Sequence, residues 1–352
     1  MSDRNEDPAA ACARRTAIGA RSAAVQAELD ALGLPGCRVT IGLNGVGAET
    51  RSARVDTQAI GFSDAQWADL GAFLHAHDIT SLDVSFAPVT DLDFLSYLPW
   101  LTALNFGGQI TNADGLGALS PDLVHLGWGA DRKLSLSALE RFPRLRTLGV
   151  GRGKDFEVLS RLTELRHLSL GNTGLATLDV ITGLPELRWV SLGEGKPPNL
   201  SALATLPQLS ILHIERWRAL TDEYLAPLAD CVRLRLIELD GLPQVTALPD
   251  LSLLTGLTAV WLNNLQSLTT LAGAAAAPQL KYLWFEGKNV TPDLFTDFAD
   301  HPSLAYVIVA KPRRKDLSDV LSDRCDFVSS NAYIDYRLQL YADLGLIAAL
   351  GQ

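Results

Sequence analysis

The chain predicts an α/β solenoid of about eleven short coils, with a parallel sheet on one concave face and a cap at each end. Two observations carry this. A leucine-type phrase, L-x-x-L-x-L, recurs in phase about every 22 residues between residues 79 and 310. That span holds 50 of the 63 leucines, whereas the 120 flanking residues hold 13. A fixed period of this length is the mark of stacked repeats.

Composition agrees. Hydrophobic residues make up 47% of the 352 and charged ones 20%, enough for a folded core and unlike a disordered chain. No apolar run reaches the ~18 residues of a membrane span. The opening, MSDRNEDPAAACARR, carries acids and lacks the apolar stretch of a secretory signal. Cys12, Cys37, Cys231 and Cys325 have neither CxxC nor zinc spacing. Reduced thiols in a cytoplasmic protein are therefore expected, and the Ala-rich composition suits a bacterium. The net charge of -10 argues against non-specific nucleic-acid binding and against anionic membranes, which both need a basic face.

In chain order, residues 1–15 are expected to be disordered. Residues 18–32 read as an Ala-rich helix and Cys37 to Leu43 as a strand. Gly42, Gly45 and Gly47 mark a hairpin turn. Ser63-x-x-Gln66 is a capping box, with Phe62 placed to staple onto Trp67. Trp67, Leu70, Phe73 and Leu74 then share one helical face. Residues 1–78 thus form an N-terminal tail and cap.

The phrase opens at Ile79, Leu101, Leu123, Leu145, Leu165, Leu187, Leu209, Leu234, Leu257, Leu280 and Leu304. L-x-L has period two, so its leucines share one side of a short strand. Between copies, apolar residues stand three apart, as in Leu159, Leu162 and Leu165, which fits a helical turn. One coil cannot bury its apolar edge, but stacked coils can. Residues 79–310 are therefore the repeat region and 311–352 a C-terminal cap. In that cap Ile334, Tyr336, Leu338 and Leu340 alternate like a strand, while Ile334, Leu338 and Tyr341 fit a helix. Both readings stay open.

These copies resemble the leucine-rich repeat family, most closely its short 22-residue, bacterial and internalin-like type. The resemblance covers about two-thirds of the chain and implies a binding scaffold rather than an enzyme. The family's Asn after the strand is mostly replaced, by Gln109, Asp131, Gly153, Thr173, Gly195 and Trp217.

Positions three, five and seven of each copy are expected to face the concave surface, stacked in columns at about 4.8 Å. In the first half the seventh column holds Gly107, Gly129, Gly151, Gly171 and Gly193. These glycines serve either a left-handed turn or close approach by another backbone, such as that of residues 1–57. The second half carries Trp189, Tyr282 and Tyr306 in the third column. His213, Glu238, Trp261 and Trp284 stand in the fifth, and Glu215, Asp240, Asn263 and Glu286 in the seventh. Solvent-facing Trp and Tyr are the usual anchors of interfaces. Glu215 beside Asp240 is a like-charge pair that a cationic partner would relieve through ion pairs and cation–π contacts.

The expected function is a non-catalytic module that binds a basic protein or peptide at these residues. An inhibitor or immunity protein against a basic enzyme is one version. Trp261→Ala with Trp284→Ala should weaken binding while leaving the thermal midpoint nearly unchanged. The alternative is an enzyme or small-molecule binder. It would use His213, Glu215, Glu238 and Asp240 as acid/base groups under a lid from residues 1–57 or 311–352.

Other motifs carry less. Gly149, Gly151, Gly153 and Lys154 lack the spacing of a phosphate loop. His75 and His77 point apart on a helix. Glu215, Asp240, Asn263 and Glu286 form an oxygen ladder without the further ligands a hard cation needs. Lys311 to Lys315 is a basic run in an acidic chain and reads as a solvated loop. No cofactor and no metal are expected.

Overall fold

A computed structural model describes residues 8–43, 49–56, 58–59, 61–131, 133–287, 291–309, 317, 320–321, 326–327 and 330–343. The chain divides into two compact units, 1–165 with 338–352, and 166–337.

The first unit opens with helix α1, Pro8–Ala31. The helix starts inside the segment expected to be disordered. Proline suits a first helical position, and the alanines that follow are the best helix formers. Strand β1, Cys37–Leu43, pairs antiparallel with β2, Glu49–Val55; Gly45 and Gly47 of the intervening turn lie outside the described residues. α1 covers the free edge of β1 with side chains. Gln26 Oε1 accepts from the Val39 N–H at 2.7 Å, and Ser22 Oγ accepts from the Ile41 N–H at 3.0 Å. With these two donors taken, the edge offers less for pairing with another chain.

Helix α2, Asp64–Ala76, begins on the capping box of Ser63 and Gln66. Phe62 meets Trp67 edge-on at 5.2 Å, and Trp67 stacks on Phe94 at 4.2 Å. Trp67, Leu70 and Leu74 are buried, and Phe73 is half-buried. His75 rests against Trp100 and His77 contacts Glu28, so the two histidines do part as their spacing requires. β2 leads into parallel pairing with β3, Ser81–Val84. β4, Ala103–Gly108, β5, His125–Ala130, and β6, Thr147–Val150, follow in parallel.

The second unit continues the pattern. Its strands are β7, His167–Gly171, β8, Trp189–Gly193, β9, Ile211–Glu215, β10, Leu236–Asp240, and β11, Ala259–Asn263. β12, Tyr282–Glu286, β13, Tyr306–Val309, and the two-residue β14, Asp326–Phe327, complete it. Neighbours pair in parallel. β3 to β13 each open on the third residue of a copy of the phrase. The L-x-L leucines therefore point to the core, where Leu212, Ile214, Leu239 and Leu262 are at most 1% exposed. The returns are single tight turns such as Phe156–Arg161 and Ser201–Thr205. Two returns carry one turn of α-helix, α3, Asp222–Leu225, and α4, Ala272–Ala275. Helix α5, Ser330–Asp343, settles the open choice at the C-terminus in favour of helix. The basic run 311–315 and Cys325 lie outside the described residues.

The seventh-column glycines do not adopt the left-handed turn. That conformation falls one residue later, at Asn172, Glu194, Arg216, Gly241 and Asn264. What the glycines meet is the neighbouring strand. A Cβ on Gly129 would lie 2.9 Å from the Phe106 carbonyl oxygen, and one on Gly193 2.9 Å from that of Glu215. The approaching backbone is thus that of an adjacent coil, not that of residues 1–57. Trp217, standing in the family's asparagine position, is buried and donates its indole N–H to the Glu194 carbonyl at 2.7 Å. It satisfies the turn of the preceding coil, as an asparagine ladder would.

Candidate functional site

The predicted site residues lie on β8 to β13, on the sheet face away from the leucine core. Parallel pairing without offset puts the columns in register. Glu238 stands between His213 and Trp261, and Asp240 between Glu215 and Asn263. Trp261 faces Trp284, Asn263 faces Glu286, and Tyr282 faces Tyr306. All but Trp189 are thus gathered on five adjacent strands. Trp189 is 7% exposed and stacks on His167 at 3.9 Å. The third column beyond it, Ile211, Leu236 and Ala259, is fully buried, so in this stretch that column is covered and not open surface.

The aromatic residues form two clusters. Trp261 and Trp284 lie 4.9 Å apart. Tyr282 and Tyr306 stack at 4.8 Å, and Lys281 Nζ lies 5.5 and 5.6 Å from their rings. Both clusters present ring faces that attract cations.

Three of the four acids, Glu215, Glu238 and Asp240, already hold partners within the chain, two of them cationic. Glu215 pairs with Arg216, which also reaches Glu194 at 3.3 Å. Asp240 accepts from the Asn264 amide at 3.1 Å. Glu238 is 3% exposed. Its Oε1 accepts from Arg337 Nε at 2.9 Å and its Oε2 from Arg337 Nη2 at 3.3 Å. The Arg337 guanidinium also lies 5.0 Å from the Trp261 ring. Beside it, Tyr336 stacks on Tyr282 at 4.4 Å and its hydroxyl meets that of Thr258.

Sequence reasoning missed Tyr336, Arg337 and Arg216. For Arg337 a signal was present: a lone basic residue in an apolar C-terminal segment, in a chain whose inner columns are rich in carboxylates. Arg216 was harder, because it directly follows a strand, where an asparagine or glycine is the usual occupant.

Chemically the arrangement holds cationic groups of the chain itself, Arg337 and Lys281. A carboxylate forked onto a guanidinium is a charge-assisted, bidentate contact, and both Glu238 oxygens are engaged by it. That leaves Glu238 poorly placed to take a proton from a substrate. His213 Nε2 lies 3.9 Å from Glu215 Oε2, beyond hydrogen-bond reach. Among the described residues no three of His, Cys, Asp and Glu converge as metal ligands. None of the described helices is long and apolar enough to cross a membrane.

No protein-family model matches the chain, and no curated relative does. Solved structures do. An internalin from Listeria monocytogenes is similar with a TM-score of 0.52 and 22% identity, over 74% of this chain and 77% of that one. Internalin C2 of the same organism gives a TM-score of 0.38 at 20% identity, covering 62% and 84%. TLR13, in a complex with single-stranded RNA, gives 0.42 at 19%, covering 66% and 36%. The first likeness concerns the fold, and it agrees with the register of the strands. By fold, the chain is a leucine-rich repeat protein.

Proposed function

We propose that the second unit is a protein-binding module whose acidic and aromatic wall receives a basic protein or peptide. The observation that carries this reading is the register of β9 to β12. It collects Glu215, Asp240, Asn263, Glu286 and the facing Trp261 and Trp284 on one side of one sheet, half-exposed. Core packing does not require carboxylates or tryptophans there. Rigid aromatic rings supply area and carboxylates select for Lys and Arg. A basic enzyme as partner would make the module an inhibitor or immunity protein. A cytoplasmic setting is consistent with the free thiols of Cys37 and Cys231, which burial pushes up to about 12, so that they stay protonated.

The test is charge reversal at half-exposed positions. Wild type and Glu215→Lys/Asp240→Lys are used to capture basic proteins from the source organism, and affinities for a purified captured protein are measured from 50 to 300 mM salt. The module should lose its partner on reversal, and wild-type affinity should fall with salt as exposed charges are screened. Equal capture by both proteins, or affinity indifferent to salt, would overturn the reading.

A further inference from the structure

We infer that helix α5 is a tethered occupant of an arginine seat on this wall, and that the true partner is a helix presenting an aromatic residue next to an arginine. The inference rests on the binding reading above and specifies its ligand and its regulation.

The Tyr336–Arg337 turn is held to the wall by directed polar and aromatic contacts. Tyr336 and Arg337 meet the sheet through a ring stack, a hydroxyl pair, a forked ion pair and a cation–π contact. Tyr, Trp and Arg are the residues that dominate interfaces between separate proteins. Two consecutive residues of one helix engage Glu238 on β10, Thr258 and Trp261 at β11, and Tyr282 on β12. Three strands span about 10 Å, the width of a single helix.

The seat favours a cation. With α5 in place Glu238 is almost completely buried, and a buried carboxylate stripped of its counter-charge is strongly unfavourable. A helix that covers Glu238 as α5 does must therefore bring a cationic group with it. Yet α5 is a poor electrostatic match for the wall as a whole. Residues 330–343 carry one cation, Arg337, against Asp335 and Asp343, a net charge of -1. The neighbouring Glu215 is paired with Arg216 at the end of its own strand and Asp240 with Asn264 at the end of the next, and among the described residues of α5 none is their partner. A helix that keeps the aromatic–arginine pair but adds basic residues would complement the surrounding carboxylates better than α5 does. Such a helix could take the seat from α5, and α5 would keep weaker ligands out.

The experiment uses the full chain and a fluorescein-labelled synthetic peptide of residues 330–343. Wild type, Arg337→Ala and the double variant Glu238→Gln/Arg337→Ala are titrated with this peptide and with its Asp335→Lys version. Each protein is first checked for native secondary structure and a cooperative melt. Arg337→Ala should bind the peptide at least tenfold more tightly than wild type, and the Asp335→Lys peptide more tightly still. Glu238→Gln should cost that variant at least tenfold. Arg337→Lys, which keeps the charge but loses the fork, should fall between wild type and Arg337→Ala and covers the case of a variant that misfolds. Equal binding by wild type and Arg337→Ala, absence of binding to both, or indifference to Glu238→Gln would overturn the inference. Failure here with a charge-sensitive natural partner would leave the module reading standing. Peptide uptake by Arg337→Ala without any natural basic partner would sink that reading and the partner inferred from it, while keeping α5 as the occupant of the seat.

Discussion

Trp261 and Trp284 face each other across β11 and β12 with ring centroids 4.9 Å apart, though 23 positions separate them in the chain. The guanidinium of Arg337 lies over the first of these rings. The pair is therefore both a contact surface and a floor for α5. Truncating both to Ala removes a ring–ring contact and a cation–π contact, each contributing about 0.5–1.5 kcal/mol. Stability should fall by about 1–3 kcal/mol on that account, in contrast to the nearly unchanged midpoint that sequence alone suggested. Partner affinity should fall at least tenfold. Urea denaturation with a parallel affinity measurement checks both, and an unmoved midpoint would show that the rings support nothing.

Glycines that look alike in the seventh column should behave differently. A Cβ at Gly129 would stand 2.9 Å from a backbone oxygen, but one at Gly171 only 3.8 Å from the nearest. Backbone cannot step aside as a flexible side chain can. Gly129→Ala should therefore destabilise by about 1–3 kcal/mol, as overpacking does. Gly171→Ala should be neutral or stabilising by up to about 1 kcal/mol, since Ala restricts the unfolded chain. Similar melting temperatures for the two variants would contradict this account.

The repeat was legible because its physics is local and periodic. A leucine at fixed phase must face the core, so Leu148, Leu168 and Leu212 could be placed from spacing alone. The columns followed from the same arithmetic, which is why Glu215, Asp240 and Asn263 appear in register as read. What escaped was whatever the period does not govern. Arg337 reaches Glu238 across 99 positions from a segment outside the repeat, and no spacing rule links them. The role of the glycines escaped too, because close approach and a left-handed turn ask for the same residue and only coordinates tell them apart. The burial of Trp189 escaped because columns give direction but not cover.

The edge of β1 depends on two side chains of α1. Gln26 satisfies both the Val39 N–H and, through its amide, the Cys37 carbonyl. Gln26→Leu keeps size and helix propensity but leaves both backbone groups without these partners. A lost hydrogen bond with an unsatisfied donor costs about 1–3 kcal/mol. The freed edge also becomes a template for a second chain. The variant should lose about that much stability and form concentration-dependent dimers by light scattering. A monomeric variant with wild-type stability would mean that solvent serves the edge equally well.

His125 gives the fold a pH dependence of defined sign. Its Nε2 lies 2.9 Å from Asn105 Oδ1, an acceptor, so the ring donates there. Burial pushes its pKa from 6.5 down to about 4. The folded state thus prefers the neutral ring, and the unfolded chain takes up the proton first as pH drops. The stability that His125 confers is complete above about pH 6.5, declines between 6.5 and 4, and is constant below that. At 1.36 kcal/mol per pKa unit the full loss is on the order of 3 kcal/mol. Carboxylates such as Asp222, whose burial is outweighed by hydrogen bonds from Thr246 and Ala247 so that its pKa is lowered, add a slope in the same direction at lower pH. The two contributions separate by difference. Urea midpoints of wild type and His125→Gln measured at pH 7.5, 5.5 and 4.5 should converge as pH falls, because only wild type carries the histidine penalty. Parallel curves would show that the ring titrates alike in both states.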